Sequence, residues 1–392
     1  MFETLQTAPT DPILGLTSAF RQDTNPNKIN LGVGEYRDSD GKTPVFAAVE
    51  AAEERLVDQK LPKTYLPIDG TPEHGVAVRE LLFGATSDLA AVTAQAPGGT
   101  GALRLAADFF HALFPKARLC LSEPTWANHP KVFQAAGMEV VTYPYFDAAT
   151  DGLDFEAMTA ALETLTPGDI VLLHGCCHNP TGVDPSIEQW KRIGDIVADR
   201  HLIPFVDFAY QGLGDGLLED AGGLRELCRP GVELFVASSF SKNFGLYRER
   251  IGALTAVAST PEAAQVVLSH LKIAARTSFS NPPAHGSAIV TEILGDSELR
   301  KTWEEEVALM RDRINGMRRL LVQSLADRGV EKDLSFIERQ RGMFSFSGLN
   351  PQQVEILRDK HSIYIVGSGR INVAGITPHN LDYLCDALAS IL

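Results

Sequence analysis

Lys242 lies at the end of an apolar run, in the stretch "VASSFSKNFGLYRER" that begins at Val236. The neighbouring hydroxyls of Ser239 and Ser241 can hold an anion, and a lysine amine can form an imine with a carbonyl compound. A strand that ends in a solvated turn would show the same Ser-Lys pattern. Other parts of the chain must therefore decide between the two interpretations.

A glycine-rich turn in "PGGTGALRLAADFF" places Gly98, Gly99, Thr100 and Gly101 just before an alanine-rich helical stretch. Small residues let backbone N–H groups approach an anion, and the positive end of a helix favours a phosphate. The turn matches neither the dinucleotide pattern GxGxxG nor the P-loop GxxxxGK[ST]. It therefore predicts a phosphate that does not belong to a nucleotide.

Asp207 ends a predicted buried strand in "VDFAYQG", with Tyr210 three residues later. A buried carboxylate is costly unless a cation or strong donors pair with it, and a protonated pyridine nitrogen is such a partner. Asp207 can instead cap the following turn. In "CCHNPTG", Asn179 precedes Pro180, which on its own indicates a turn.

Together these residues form a specific set. It contains a lysine that can form an imine, a phosphate cradle, a carboxylate for a ring nitrogen, and Asn and Tyr donors for a phenolic oxygen. Pyridoxal phosphate, held as a lysine Schiff base with an acidic partner at its pyridine nitrogen, requires these groups. The set therefore predicts this cofactor and favours a catalytic role for Lys242.

The elements that must position these residues alternate between short apolar runs and amphipathic stretches. The series is "DIVLLHG", "SIEQWKRIGDIVADR", "LIPFVDFAY", "ELFVASSF" and "IGALTAVAS". This alternation predicts an α/β core with a mostly parallel sheet covered on both faces. Helical spacing without proline predicts one long helix over Leu299–Arg328. After it, "GMFSFSGL" and "IYIVGSGRINVAG" alternate like strands of a smaller α+β domain.

Composition narrows the function class. The 392 residues carry a formal charge of -15, and no basic patch interleaved with aromatic residues is present, so nucleic acid is not an expected partner. The first residues lack a signal-peptide pattern, and no apolar run reaches the roughly eighteen residues that span a bilayer. We expect a cytoplasmic protein with no membrane partner.

The five cysteines, Cys120, Cys176, Cys177, Cys228 and Cys385, are odd in number and lack the spacing of a disulfide framework. We expect them to be reduced. The segment "HGCCH" contains residue types that bind metals. However, adjacent cysteines in a strand would point to opposite faces, and no second ligand cluster is evident. The sequence therefore predicts no metal site.

Nine ordered segments resemble one known family along essentially the whole chain. They are "INLGVGEYRD", "TYLPIDG", "GGTGALR", "PTWANH", "HGCCHNPTG", "DFAYQG", "SSFSKNFGLYRER", "SNPPAHG" and "GRINVAG". The chain resembles the aspartate/aromatic aminotransferases among the fold-type I PLP enzymes. The fold expected on this basis is a large PLP-binding domain with a mostly parallel seven-stranded sheet flanked by helices, plus a smaller α+β domain. Residues 1–43 would form an N-terminal arm and part of the small domain, 44–305 the large domain and 306–392 the small domain.

The resemblance implies roles for the cofactor site. Lys242 would form the Schiff base and later move the substrate's α-proton, while Asp207 would keep the pyridine nitrogen protonated. His129 would support Asp207 from behind, and His174 would lie near the cofactor or serve only as a structural histidine. The remaining implied cofactor contacts are Trp126 on the ring face, Asn179 and Tyr210 at the ring oxygen, Gly99, Thr100, Ser239, Ser241 and Arg250 at the phosphate, and Tyr65 from the neighbouring subunit.

The resemblance also implies a substrate site shared within a homodimer. Arg370 would bind the substrate's α-carboxylate, and Arg276 would reach across the dimer interface to a distal side-chain carboxylate. Gly34 would bring its backbone to the substrate, with Trp126 and Asn179 also close to it. Glu35 stands where many relatives have a small aliphatic residue, and it would repel a dicarboxylate, pair with an arginine or point to solvent.

The expected activity is PLP-dependent transamination between aspartate or glutamate and the 2-oxo acids oxaloacetate and 2-oxoglutarate. Aromatic amino acids are expected as alternates, and an enzyme that prefers them is the first competing interpretation. A PLP lyase or decarboxylase on the same fold fits Arg276 less well, because a second carboxylate clamp suits the glutamate/2-oxoglutarate couple. A degenerate regulatory protein is disfavoured by the intact set of Lys242, Asp207 and Arg370.

Overall fold

A computed structural model describes residues 2–7, 12–85 and 88–392. Within these residues the α-helices are α1 (Pro12–Gln22), α2 (Ala47–Gln59), α3 (Pro72–Phe83), α4 (Gly98–Leu113), α5 (His129–Ala135), α6 (Phe155–Glu163), α7 (Ile187–Asp199), α8 (Leu217–Asp220), α9 (Gly222–Leu227), α10 (Pro261–Ser278), α11 (Ala284–Gly295), α12 (Ser297–Asp327), α13 (Phe336–Arg339), α14 (Pro351–His361) and α15 (Leu381–Ala389).

The strands are β1 (Ile29–Asn30), β2 (Ala91–Pro97), β3 (Leu119–Glu123), β4 (Val140–Pro144), β5 (Phe146–Asp147), β6 (Gly152–Leu153), β7 (Ile170–His174), β8 (Ile203–Phe208), β9 (Leu234–Ser239), β10 (Ile251–Val257), β11 (Phe344–Phe346), β12 (Ile363–Tyr364) and β13 (Arg370–Asn372). Short 3-10 helices cover Phe2–Thr4 and Val373–Gly375.

Two compact units divide the chain. One consists of Met1–Thr43, Arg313–Arg339 and Met343–Leu392, and the other of Pro44–Asp312 and Gln340–Gly342. We call them the small unit and the large unit. Helix α12 contributes residues to both, and it confirms the single long helix predicted over Leu299–Arg328. The domain limits at residues 43/44 and 305/306 stay a prediction.

The large unit contains a seven-stranded sheet in the order β2-β10-β9-β8-β7-β3-β4. Strands β4, β3, β7, β8 and β9 are parallel to one another, whereas β10 is antiparallel to both β9 and β2. The predicted α/β class and the mostly parallel sheet are confirmed. The carboxyl ends of β7, β8 and β9 meet at one edge of this sheet, where parallel α/β folds bind their ligands.

Apolar packing stabilises the large unit. Strands β7 and β9 are buried along their whole length. Phe110 of α4 packs edge-on against Phe235 of β9, with ring centroids 4.8 Å apart, and against Phe205 of β8 at 5.7 Å. Burying rings of this size contributes on the order of 2 kcal/mol each. Helix α4 is thereby held against the sheet, with its first turn next to the end of β2.

Helix starts in the large unit follow local sequence signals. Ser186 and Gln189 form a capping box at α7, and Thr260 caps α10 just before Pro261. Helix α4 differs, because Pro97 precedes it and gives its first turn no side-chain hydrogen bond. The N–H groups at this start are therefore available to a ligand.

The small unit has two short two-stranded sheets. Strand β1 pairs parallel with β12, and β11 pairs antiparallel with β13 in a register that sets Phe346 opposite Arg370. Asn350 and Gln353 form a capping box at α14. The predicted strand-like alternation after the long helix is confirmed. No helix in the described ranges is long and apolar enough to cross a membrane.

Candidate active site

Lys242 follows β9 and the buried residues Ser239, Phe240 and Ser241. Its Nζ lies 4.7 Å from the centre of the Tyr210 ring, and Tyr210 is itself buried just after β8. Removal from water lowers the pKa of Lys242 to about 8, with Asp207 opposing that shift and Arg250 adding to it. A useful fraction of this amine is therefore neutral near physiological pH.

Asp207, near the end of β8, has only 11% of its side chain exposed. Its Oδ2 lies 2.9 Å from Nε2 of His129, whose side chain is completely buried. Burial raises the pKa of Asp207, but the hydrogen bond from His129 and the nearby Lys242 act against it, and the pKa stays below its usual value. The carboxylate is therefore ionised over the physiological range.

A directional chain of hydrogen bonds leads from Asn179 to Asp207. The pKa of His174 is lowered to about 3, chiefly by burial, so its ring is neutral and its Nδ1 accepts from the Asn179 N–H at 3.4 Å. Its Nε2 then carries the hydrogen and donates to the hydroxyl of Thr125 at 3.2 Å. That hydroxyl donates to Nδ1 of His129 at 2.8 Å, and His129 Nε2 donates to Asp207.

The first turn of α4 and the residues around it form a cradle of groups that can bind a phosphate. Gly98 has φ +75°, and a Cβ added there would stand 2.4 Å from Nη2 of Arg250. A Cβ at Gly99 would approach the Cβ of Ser239 to 3.0 Å. Backbone N–H groups, hydroxyls and a guanidinium thus converge where side-chain atoms would otherwise lie, so these residues fit the phosphate of the predicted cofactor.

Two hydroxyls complete the cradle. Ser239 Oγ donates to Ser241 Oγ at 3.3 Å, which holds both buried serines on the side of β9 that faces Gly99. Thr100 lies in the first turn of α4 and is partly buried.

Trp126 is also partly buried, and its ring meets the His129 ring edge-on with centroids 5.2 Å apart.

Tyr65 and Arg276 are exposed residues of the large unit. Tyr65 is 91% exposed, and Arg276, in the last turn of α10, is also exposed. Arg276 Nη1 donates to Ser280 Oγ at 2.5 Å, and Tyr65 and Ser280 line one open cavity of about 370 Å³. Within the described part of the chain, neither residue has a hydrogen bond or ion pair to the residues around Lys242.

Arg370 is buried in the small unit, on β13. Its Nη2 donates to the carbonyl oxygen of Gly32 at 2.6 Å, and its guanidinium carbon lies 4.1 Å from the centre of the Phe344 ring. Gly34 packs on the same ring, because a Cβ at Gly34 would come within 2.8 Å of Phe344 Cζ. Two of the predicted substrate residues, Arg370 and Gly34, therefore flank one aromatic ring.

Glu35 is half-buried in the small unit, and its carbonyl oxygen accepts from Nδ2 of Asn372 at 2.8 Å. The same amide donates to the carbonyl oxygen of Val33 at 2.7 Å, so Asn372 holds the loop on both sides of Gly34. Among the described residues of its own unit, Glu35 forms no ion pair with an arginine. The backbone position of Glu35 is thus fixed, while its effect on substrates stays a prediction.

The predicted orientation of Cys176 and Cys177 was wrong. We expected Cys176 and Cys177 to diverge as neighbours on a strand, but β7 ends at His174 and Cys177 has φ +53°. In the resulting turn both sulfur atoms and a carboxylate oxygen of Asp220 lie within 4.8 Å of one another. Burial raises the pKa of the Cys176 thiol well above its usual value, which disfavours the thiolate that binds metals.

Comparisons with known proteins identify the family. The family model described as "Aminotransferase class I and II" matches residues 26–388. The chain belongs to this aminotransferase family. It is 52% identical to the aspartate aminotransferase of Salmonella typhi and 48% identical to the aromatic-amino-acid aminotransferase of Pseudomonas aeruginosa, and the alignments cover 100% of this chain and 100% and 98% of those proteins.

A solved structure shows the same fold. The aromatic-amino-acid aminotransferase of Burkholderia pseudomallei, crystallised covalently bound to pyridoxal phosphate, is 50% identical and superposes with a TM-score of 0.98, covering 100% of this chain and 99% of that one. The fold of this aminotransferase is therefore the one that the sequence resemblance implied.

Three polar residues that support the predicted site residues could not be recognised from the sequence. Thr125 joins His129 to His174, and its position four residues before His129 was the only available signal. Asp184 accepts the backbone N–H groups of Cys177 and His178, directly before Asn179, and Asp220 accepts that of Gly212 in the loop that follows Tyr210. Nothing in the pattern of the chain distinguishes these two from ordinary turn aspartates.

Proposed function

We propose that the protein transfers amino groups between aspartate or glutamate and the 2-oxo acids 2-oxoglutarate and oxaloacetate, with aromatic amino acids as further substrates. The cofactor is pyridoxal 5′-phosphate, which when bound accepts electron density from the substrate's α-carbon. A transaminase is the enzyme class of the family. The choice among amino acids is the part that needs an experiment.

One observation carries the proposal. An amine whose pKa is lowered to about 8 lies in the same site as an ionised, histidine-supported carboxylate and near a cradle of phosphate-binding groups. A lysine imine needs a neutral amine, a protonated pyridine nitrogen needs an anionic partner, and the phosphate needs donors. Lys242 supplies the amine, Asp207 supplies the anionic partner, and the first turn of α4 supplies the donors.

The remaining residues would hold the cofactor as follows. Asp207 would pair with the ring nitrogen, while the directional chain through His129 and Thr125 keeps its carboxylate oriented. Asn179 and Tyr210 would bond the ring oxygen, and Trp126 would cover the ring face. The phosphate would bind Gly99, Thr100, Ser239, Ser241 and Arg250, with Tyr65 of the partner subunit.

Lys242 would also move the proton of the reaction. As a neutral amine, its Nζ can accept the proton from the substrate's α-carbon and return it to a different carbon atom. A base with a pKa near 8 accepts a proton readily and also releases it near neutral pH. The Tyr210 ring beside Nζ stabilises the protonated amine by a cation–π contact of about 1 kcal/mol.

Substrate carboxylates would be bound by two arginines. Arg370 is preorganised by Gly32 and Phe344, and a planar guanidinium suits the bidentate binding of an α-carboxylate. Arg276 of the partner subunit would bind a distal carboxylate. The exposure of Tyr65 and Arg276 supports a homodimer in which each subunit completes the other's site.

A preference for aromatic amino acids is the second candidate. It is supported by the similar identity of this chain to an aspartate aminotransferase, 52%, and to an aromatic-amino-acid aminotransferase, 48%.

The five cysteines are free of disulfides in the described structure, which supports a cytoplasmic location for either activity.

The proposal is tested by measuring kcat/KM of the holoenzyme for aspartate, glutamate, tyrosine and phenylalanine with 2-oxoglutarate as acceptor. We expect the highest value for aspartate or glutamate and no measurable turnover for Lys242→Ala. A higher value for tyrosine or phenylalanine than for both dicarboxylates would select the aromatic candidate. Turnover in Lys242→Ala would contradict the role of the lysine.

A further inference from the structure

Asp184 ties down the loop that carries Asn179. Its two carboxylate oxygens accept the backbone N–H groups of Cys177 at 2.6 Å and His178 at 2.8 Å, the two residues directly before Asn179. Asp184 is itself fixed by its place two residues before Ser186, where the capping box starts α7. The carboxylate thus closes the turn between β7 and α7 with charge-assisted hydrogen bonds.

Asp220 does the same for the loop that follows Tyr210. Its oxygens accept four backbone N–H groups, from Gly212 at 2.8 Å, Gly214 at 3.0 Å, Asp215 at 2.8 Å and Gly216 at 3.4 Å. A Cβ at Gly214 would come within 2.5 Å of Asp220 Oδ1. Glycine at position 214 therefore lets the carboxylate enter the loop.

The loop closed by Asp220 also bonds to the segment that carries Lys242. Asn243, the next residue, donates its side-chain N–H to the carbonyl oxygen of Gln211 at 3.1 Å. The side chain of Gln211 donates to the carbonyl oxygen of Leu217 at 2.9 Å. The position of Tyr210 beside Lys242 therefore depends on the loop that Asp220 holds.

The two carboxylates share surroundings. Asp184 and Asp220 both line one open cavity of about 430 Å³ together with Arg341. The pKa of Asp184 is raised to about 6, because burial and the charge of Asp220 outweigh the lowering by its backbone donors and by Arg341. Burial likewise raises the pKa of Asp220 against its four backbone donors. Keeping both groups ionised costs free energy, which the hydrogen bonds to the two loops offset.

We propose that Asp184 and Asp220 are paired positioning residues, each holding the loop that carries one of the two donors, Asn179 and Tyr210, to the ring oxygen of the cofactor. The inference rests on the proposed function, because it takes the ring-oxygen role of these donors from there. Neither aspartate touches the cofactor in this arrangement. Each acts through the backbone of its loop.

The absorbance of the holoenzyme tests this inference without any turnover. The spectrum of the lysine-bound cofactor changes with pH when the imine nitrogen loses its proton, and donors to the ring oxygen favour the deprotonated form. Loosened donors should therefore raise the midpoint of this change. We expect Asp184→Asn and Asp220→Asn each to raise it by about half a pH unit or more, as Tyr210→Phe and Asn179→Ala should do directly.

Asp169→Asn is the matched control. Asp169 is also buried and accepts the backbone N–H groups of Arg118 at 3.1 Å and Thr166 at 3.0 Å, with an added ion pair to the Arg118 guanidinium, but it precedes β7, at the opposite end of the strand from His174. It should lower stability and leave the midpoint unchanged. If Asp220→Asn does not fold, Gly214→Ala displaces the same carboxylate without removing its charge and should shift the midpoint in the same direction.

The inference is overturned if Asp184→Asn and Asp220→Asn keep the original midpoint while Tyr210→Phe raises it, or if Asp169→Asn raises it equally. If Tyr210→Phe and Asn179→Ala leave the midpoint unchanged, the ring-oxygen assignment itself fails and takes this inference with it. A shift in both aspartate variants, with none in Asp169→Asn, supports positioning through the two loops.

Discussion

His129 donates its Nε2 hydrogen to Asp207 across 2.9 Å, while its Nδ1 accepts from the hydroxyl of Thr125 across 2.8 Å. The imidazole is completely buried, so both bonds form away from bulk water and each fixes the direction of the other. The orientation of the Asp207 carboxylate therefore depends on the Thr125 hydroxyl, to which it is connected through two hydrogen bonds and the His129 ring.

Thr125→Val should lower kcat about tenfold, because His129 loses the donor that fixes its tautomer, a change of about 1.4 kcal/mol in the barrier. Thr125→Ser keeps the hydroxyl and should stay within about twofold of the original enzyme. Steady-state kinetics of the two holoenzyme variants decide the matter. Equal kcat values for the Val and Ser variants would show that the hydroxyl does not support Asp207.

Arg276→Ala should lower kcat/KM for aspartate by about a hundredfold or more, equivalent to about 3 kcal/mol, and that for phenylalanine by less than about tenfold. The reason is that a guanidinium facing a distal carboxylate forms charge-assisted bonds that an aromatic side chain cannot form. Glu35→Val should leave aspartate activity equal or improved. Equal losses for aspartate and phenylalanine in Arg276→Ala would contradict the dicarboxylate assignment.

Mixing two variants with impaired aspartate turnover tests the shared site. Arg276→Ala and Lys242→Ala should partly restore aspartate turnover after subunit exchange, because some mixed dimers would contain one site with both residues intact. Each variant incubated alone under the same conditions is the control. Mass spectrometry of the mixed dimer can verify that the subunits have exchanged. If no activity returns after verified exchange, the result would count against sites built from two subunits.

His74 gives a prediction for stability against pH. Burial lowers its pKa to about 4, whereas the unfolded chain has a value near 6.5. Between these values the unfolded state binds more protons, so the free energy of unfolding should fall as the pH falls from 6.5 to 4. His74→Leu should remove about 2 kcal/mol of the loss between pH 7 and 4.5. Urea unfolding at both pH values measures it, and an unchanged loss in the variant would refute the assignment.

Much of the fold could be predicted because its signals are local. Continuous apolar runs marked β7, β8 and β9, and helical spacing without proline marked α12. The direction of β10 could not be predicted in this way. It follows β9 after the loop that contains Lys242 and pairs antiparallel, although its sequence is as apolar as those of the parallel strands.

The candidate site was predicted where one residue type meets one chemical need, as with Lys242 and Asp207. Residues that act through others escaped prediction. Asp184 and Asp220 bind backbone N–H groups, and such groups are present at every residue, so the sequence carries no mark of the partner. The turn at Cys177 was also missed, because its positive φ arises from the loop closed by Asp184 and not from a glycine.

The most direct test of the account is to reduce the holoenzyme with borohydride and to locate the modified lysine by peptide mass spectrometry. Reduction fixes the cofactor on the amine that holds it. Because Lys242 has its pKa lowered to about 8 and lies beside Tyr210 and Asp207, we expect the pyridoxyl group on the peptide that contains Lys242. A pyridoxyl group on any other lysine, with Lys242 unmodified, would contradict the account.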